Sequence, residues 1–323
     1  MKKMKKGVFV LSLDTELAWG CCGDQKSIKI SKSYFLDARK SIHTLINLFE
    51  KYDISATWAV VGHLFLSHCQ HENGIKHPEI IRPNYKWHQN RDWFDCDPCS
   101  SVESDPIWYG KDIIDMIKGC KVPQEIGSHT FSHVIVGDPG CTRECFGSEI
   151  ALCKEIAAES GVELKSFVFP QNNEKYHDVL ARNGFETYRG NEPYWFMKLP
   201  TLLQPFGRMV DCYLALCPPV SNPVKNACWN IQGSYFWGHR HGLWKLLPIS
   251  QRVKQTKKGI DRAIRDGTVF HLWFHPFNLS TDPQGLTNGL EAVFSYINVA
   301  RAEGRIENLT MGALARRLEK QDG

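Results

Sequence analysis

VFVLSLDTELAWG, residues 8–20, is the stretch whose reading decides the fold. Val8 to Leu13 form a short, uncharged, mostly apolar run that reads as a buried strand. Asp14 and Glu16 follow at its C-terminal end. Side chains alternate along a strand, so residues two apart point the same way. Paired carboxylates at the C-terminal edge of a barrel strand stand where such barrels hold their active sites. Two solvated acids at a strand end are the plainer alternative, and the position directly behind an apolar strand weakens it.

Outward from this strand the pattern repeats. Tyr34 to Tyr52 carries a helical apolar stripe, and ATWAVVG (56–62) is the next strand. Asp112 to Lys118 is predicted helical, Glu125 to Gly127 a strand edge, and Arg143 to Ser160 a helix ended by Gly161. Strands at Leu164 to Phe169 and in FETY (185–188) flank a predicted helix over Glu174 to Asn183. Ile249 to Arg265 reads as a helix, Thr268 to Phe274 as a strand and Leu286 to Ala302 as a helix. A short strand near Leu309 and Thr310 and a helix from Gly312 end the series. Such alternation implies an α/β fold with a parallel sheet and helices outside. An open doubly wound sheet and a closed barrel both satisfy it. No GxGxxG or GxxxxGKS/T follows the first strand, which removes the usual nucleotide-binding reasons for the open form.

Composition narrows the function. With 42% hydrophobic and 23% charged residues, the 323-residue chain is an ordinary globular enzyme by content. A net charge of +4 is too mild for a nucleic-acid partner. MKKMKK (1–6) and the basic run from Arg252 to Lys258 could make peripheral contact with an anionic membrane surface, although solvated faces are the stronger reading. The apolar run after MKKMKK is short and ends on Asp14, unlike a signal peptide, and no stretch reaches the ~20 apolar residues of a membrane span. A cytoplasmic protein is expected. Its twelve cysteines therefore read as reduced thiols, and Cys96-x-x-Cys99 alone is a weak zinc signal. Residues 70–110 and 190–245 break the rhythm with many aromatics and prolines. Loops of that length in a compact domain are usually functional, and exposed rings there would suit the apolar C–H faces of sugars.

Three further stretches carry chemistry. In SHTFSH (128–133), His129 and His133 stand four apart, a good bidentate metal arrangement if they share one helical turn. With one carboxylate from the first strand they make a three-ligand site that leaves positions for water and substrate, as catalytic zinc requires. FVFPQNN (167–173) is another strand end, offering Pro170 and Asn172. In HLWFHPF (271–277), His275 is placed as a general acid, and His271, four residues earlier, reads as a core histidine.

Taken in order, the Asp-x-Glu motif, ATWAVVG, SHTFSH, FPQN and FHP resemble the polysaccharide deacetylases of the NodB-homology family, carbohydrate esterase family four. The resemblance runs from about residue 7 to near 318, apart from the two insertions. It implies one distorted, incomplete (β/α) TIM-like barrel domain over residues 1–323 and a metal-dependent amide hydrolase, usually acting on N-acetylated sugars. Carried over, it makes Asp14 the catalytic base and Glu16, His129 and His133 the ligands of a divalent metal, zinc being the expected ion. His275 becomes the general acid. Independently of the resemblance, Pro170, Asn172, Trp19, Trp108 and Trp273 are the candidate substrate contacts. Two departures stand out. Thr15 separates the two acids, as in cytoplasmic branches of the family, and Val168 replaces an arginine that orients the base. A cytoplasmic member would act on an N-acylated sugar or a sugar-linked precursor of a surface polysaccharide. A deformylase or non-sugar amidohydrolase of the same fold, or an inactive carbohydrate binder, are the alternatives.

Overall fold

Alternation along β1 (Gly7–Thr15) sorts the molecule into layers. Phe9, Leu11 and Leu13 enter a large core beneath the helices, whereas Val8 and Val10 enter a smaller core inside the curled sheet. The computed structural model describes residues 4–69, 71–88 and 91–322. Residues 1–3 of the basic opening and residues 70, 89 and 90 of the first insertion lie outside the described residues.

After β1 come α1 (Gln25–Tyr52), β2 (Thr57–Val60), a small hairpin of β3 (His71–Glu72) and β4 (Ile75–Lys76), and α2 (Lys111–Lys118). Next are β5 (Glu125–Ser128), α3 (Arg143–Glu159), β6 (Ser166–Val168), α4 (His177–Arg182) and β7 (Thr187–Arg189). α5 (Gln204–Tyr213), β8 (Val224–Lys225), β9 (Trp229–Asn230) and β10 (Tyr235–Phe236) follow. α6 (Ile249–Asp266), β11 (Val269–Phe274), α7 (Pro283–Ala302), β12 (Ile306–Asn308) and α8 (Met311–Asp322) complete the series.

The main sheet runs β10-β11-β1-β2-β5-β6-β7-β9-β8. All its neighbours are parallel except β8 and β9. The ladder stops at β10 and β8 without closing, so the barrel is incomplete. β1 is its hub: Ser12 to Thr15 pair with β2, while Gly7 to Phe9 pair with β12. At that lower end Met311, Leu314, Ala315 and Leu318 of α8 pack on Val8, Val10, Val168 and Trp229. Burial of a large apolar side chain there contributes about 1.5–3 kcal/mol, so α8 seals the floor of the barrel.

Two expectations are corrected. The helix predicted over Glu174 to Asn183 begins only at His177, because Tyr176 holds a left-handed φ of 58° that a helix cannot pass through. The cysteines are not all thiols: Cys22 and Cys96, Cα atoms 6.0 Å apart, form a disulfide. The single turn after β1 carries Cys22 against the turn Trp93–Cys96, a proximity that 74 residues of separation conceal.

Candidate active site

Strand ends bring the chemistry together. Asp14 belongs to the inward face of β1, in phase with Val8, Val10 and Ser12. Glu16, one step past the strand, brings its carboxylate to the same His275 ring that Asp14 faces, 3.6 Å from Nε2. Gly20 makes room for it, since a Cβ there would lie 2.0 Å from Glu16 Oε1. Glu16 Oε2 stands 3.3 Å from His129 Nε2 and 3.0 Å from His133 Nε2. All three residues are buried, and together they form a cluster able to hold a metal ion. A tetrahedral zinc with bonds of ~2.0–2.1 Å sets its ligand atoms about 3.3 Å apart, so the donor set fits. His129 Nδ1–H donates to the Val168 carbonyl at 2.8 Å, which leaves the Nε2 lone pair facing the cluster. Burial works against the Glu16 carboxylate, yet the positive charges it faces at His275 and His133 hold it well below the ordinary range.

The two histidines do not share a helical turn. Residues 129–133 are an irregular loop after β5, in which Thr130 and His133 both take φ of 61°. Left-handed residues at a site are a form of stored strain that surrounding structure must hold. Here Ser132 supplies the grip: its N–H and hydroxyl donate to the two oxygens of buried Glu149, at 2.8 and 2.6 Å. Burial pushes the Glu149 carboxyl up to about 7.

Asp14 has a different partner, one that no motif signalled. Arg189, at the end of β7, donates to Asp14 Oδ1 at 2.6 Å and Oδ2 at 2.7 Å, and to Asn172 Oδ1 at 3.0 Å. Val168, where an arginine was expected, points into the barrel core instead. The guanidinium that the third strand end lacks thus arrives from the neighbouring strand. Burial would raise the Asp14 carboxyl, but Arg189, by charge and hydrogen bonds, holds it below its usual value. Asn172 is then a partner of that arginine as well as a residue lining the cleft, and Pro170 is buried.

His275 follows β11. Its Nε2 lies 3.7 Å from Asp14 Oδ2 and 3.6 Å from Glu16 Oε1, so the carboxylate neighbours that sequence did not supply are the two acids themselves. Its ring Nδ1 lies 3.3 Å from Asn278 Oδ1, which also accepts the His275 backbone N–H at 3.1 Å. His271 is a core residue: Nε2 meets the Ser12 hydroxyl at 2.8 Å, and burial drives its pKa down to about 3.

The aromatic candidates divide. Trp273 stands in a cavity of about 240 Å³ with Asn172, Glu192, Tyr194 and Phe236. Its indole donates to Glu192, and Arg189 lies over its ring at 4.0 Å. Trp19 and Trp108 are corrected: both are buried, packed edge to face at 5.1 Å, and Trp19 Nε1–H donates to the Trp108 carbonyl. They are the core of the first insertion, and neither offers an accessible ring to a sugar.

No family model matches the sequence, and no curated protein does. Solved structures do match. A structure assigned as a polysaccharide deacetylase from Mycobacterium smegmatis aligns with TM-score 0.64 at 12% identity, over 100% of this chain and 94% of that one. A Pseudomonas aeruginosa structure with the same assignment gives 0.56 at 11% identity, over 97% and 90%. A family 4 carbohydrate esterase from Streptomyces lividans gives 0.43 at 11% identity, over 94% and 91%. Identity this low leaves shape as the shared property. The protein has the fold of the polysaccharide deacetylases of carbohydrate esterase family four.

Proposed function

We propose that the protein is a metal-dependent amide hydrolase that removes an N-acyl group, expected to be acetyl, from a sugar. A fold hosts many activities, so the reading rests on the site. The observation that carries it is the division between two neighbouring acids: Glu16 faces two histidines, and Asp14 is clamped by Arg189. Glu16, His129 and His133 would hold a divalent ion, expected to be zinc, which would supply Lewis-acid activation of the amide and of water there. Asp14, kept ionised by Arg189, accepts the proton of the attacking water. His275, oriented by Asn278, gives a proton to the leaving nitrogen. The products are a free amine and a short carboxylic acid. Trp273 and Phe236, ring centroids 4.4 Å apart, offer an apolar wall to a sugar ring.

A lipid-linked precursor is favoured over a nucleotide-linked one by the surface beside the cleft. The inner side of α5 lines the cavity with Arg208 and Asp211, while its outer side exposes Phe206, Met209 and Tyr213 next to Leu202, Leu243 and Leu246. A continuous apolar surface of this kind marks an interaction site. Among the described residues no helix is long and apolar enough to cross a membrane. Peripheral contact with a membrane, in the cytoplasm, is part of the same proposal.

Acyl release measures the claim. Zinc-loaded protein should liberate acetate from free or lipid-linked N-acetylated amino sugars, and His129→Ala/His133→Ala should not. Formate in place of acetate would favour the deformylase alternative. Sugar binding without any acyl release would favour an inactive carbohydrate binder.

A further inference from the structure

The first insertion has little regular structure: the β3–β4 hairpin, a few single turns and connecting loops. A closed metal site is one way to fix irregular segments of this kind, because the free energy of binding the ion is folding free energy. At its root, four side chains of metal-binding type meet: His63 and Cys69 just before the insertion, His77 and Asp97 within it. His63 Nε2, His77 Nε2 and Cys69 Sγ lie 3.5, 3.1 and 3.4 Å from Asp97 Oδ2. All four ligand atoms fall within 4.8 Å of one another; His63, His77 and Asp97 are buried and Cys69 is partly buried. His63 Nε2 has no hydrogen-bond partner, although its residue is 0% exposed.

We propose that His63, Cys69, His77 and Asp97 hold a second metal ion, a structural zinc. Four donors of nitrogen, sulfur and oxygen, with no position left for substrate, are the pattern of structural zinc. The surroundings match it. A metal-bound histidine donates its other ring N–H outward, and His63 Nδ1 meets the Trp108 carbonyl at 3.1 Å while His77 Nδ1 faces Glu79 at 3.7 Å. Asp97 Oδ1 accepts from the Cys99 N–H at 2.9 Å and from the Tyr109 hydroxyl at 3.3 Å, so Oδ2 is the free donor. Cys99 Sγ, 3.3 Å from Cys69 Sγ, stands beside the cluster.

The cluster also abuts the histidine loop of the cleft. The His63 N–H donates to the Phe131 carbonyl at 2.9 Å, and the Phe131 ring packs on His63 and His77 at 5.6 and 5.0 Å. Phe131 lies midway between His129 and His133. The second ion therefore braces the loop from which two donors of the first site project, and acts on catalysis only through position.

Sulfur separates the two sites experimentally. Only this cluster contains a thiolate, so the full chain carrying His129→Ala/His133→Ala and loaded with cobalt(II) should show a thiolate-to-cobalt charge-transfer band. Grown with zinc, the same variant should retain one zinc per chain by elemental analysis, and adding Cys69→Ser and His77→Ala should remove both signals. Absence of the band together with a metal-free His129→Ala/His133→Ala protein overturns the proposal, as does a Cys69–Cys99 disulfide found by intact mass in place of the ion. If the Cys69→Ser protein does not fold, the band and stoichiometry of its parent decide the question alone. Neither readout depends on whether the cleft hydrolyses an amide.

Discussion

The two histidine–carboxylate clusters follow opposite plans. In the cleft, Glu16 and His129 directly follow β1 and β5 and His133 stands in the loop beyond, all nitrogen and oxygen, three in number. At the root of the insertion, His63 comes from the turn after β2 and Cys69, His77 and Asp97 from irregular segments; they include sulfur and number four. Three donors leave a position for a reacting molecule; four, with a thiolate, close the shell. Rigid strand ends give the first cluster the precision that catalysis requires. The second uses the same kinds of atoms to hold a segment that has no sheet of its own.

That contrast breaks first at Asp14. If Asp14 is base and not ligand, Asp14→Asn should cost turnover on the order of 10³–10⁴, with metal content by elemental analysis unchanged. Loss of metal along with activity would make Asp14 a fourth donor and erase the open position. His275→Ala should lose roughly 10²–10³ in kcat with both sites still loaded. The deficit should shrink on an activated aryl ester, whose leaving group needs no proton; an equal deficit on both substrates would remove the acid role.

Arg189 sharpens the comparison through pH. Arg189→Met leaves Asp14 buried without its counter-charge, a loss of about 3–5 kcal/mol in stability for such pairs. Asp14 is held down in the native state, so without Arg189 it must ionise at higher pH. The acid limb of the kcat/KM profile should move upward, and Arg189→Lys should restore part of it. A limb that stays in place would reduce Arg189 to packing. The smallest effect is expected at Glu149, which supports the histidine loop from behind. Its folded carboxyl titrates at about 7 against an ordinary 4.5, so the native state binds the proton more tightly. Its contribution to stability is complete below about 4.5 and is lost as pH rises through 7. At ~1.36 kcal/mol per pH unit that amounts to on the order of 3 kcal/mol. Glu149→Gln should flatten this slope in thermal melts between pH 5 and 8, and a Tm difference from wild type that does not vary with pH would contradict the assignment.

What sequence revealed follows from distance along the chain. β1 was legible because alternation is local, and the acids behind it needed only a count of residues. His129 and His133 were found by their spacing, but spacing did not reveal the backbone: a loop with two left-handed residues also brings positions four apart together. Arg189 was invisible, because an arginine in TYRG carries no signal until β7 is laid beside β6, 175 positions from the acid it serves. The aromatics of the insertion offered rings either for sugar contact or for packing onto the barrel, and sequence alone did not separate the two. Burial turned Trp19 and Trp108 into core, and donors scattered from residue 63 to residue 97 match no regular motif.

The pairing of β12 with β1, and the sealing of the barrel by α8, have a consequence for synthesis. β1 is made well before β12, and its lower half stays unpaired on one side until residues 306–308 exist. The floor beneath it is absent until residues 311–318 follow. Pairings of such sequence separation form slowly, and an exposed parallel edge invites aggregation in the interim. A nascent chain stalled short of residue 306 should therefore be a client for chaperones, however native its first two hundred residues have become.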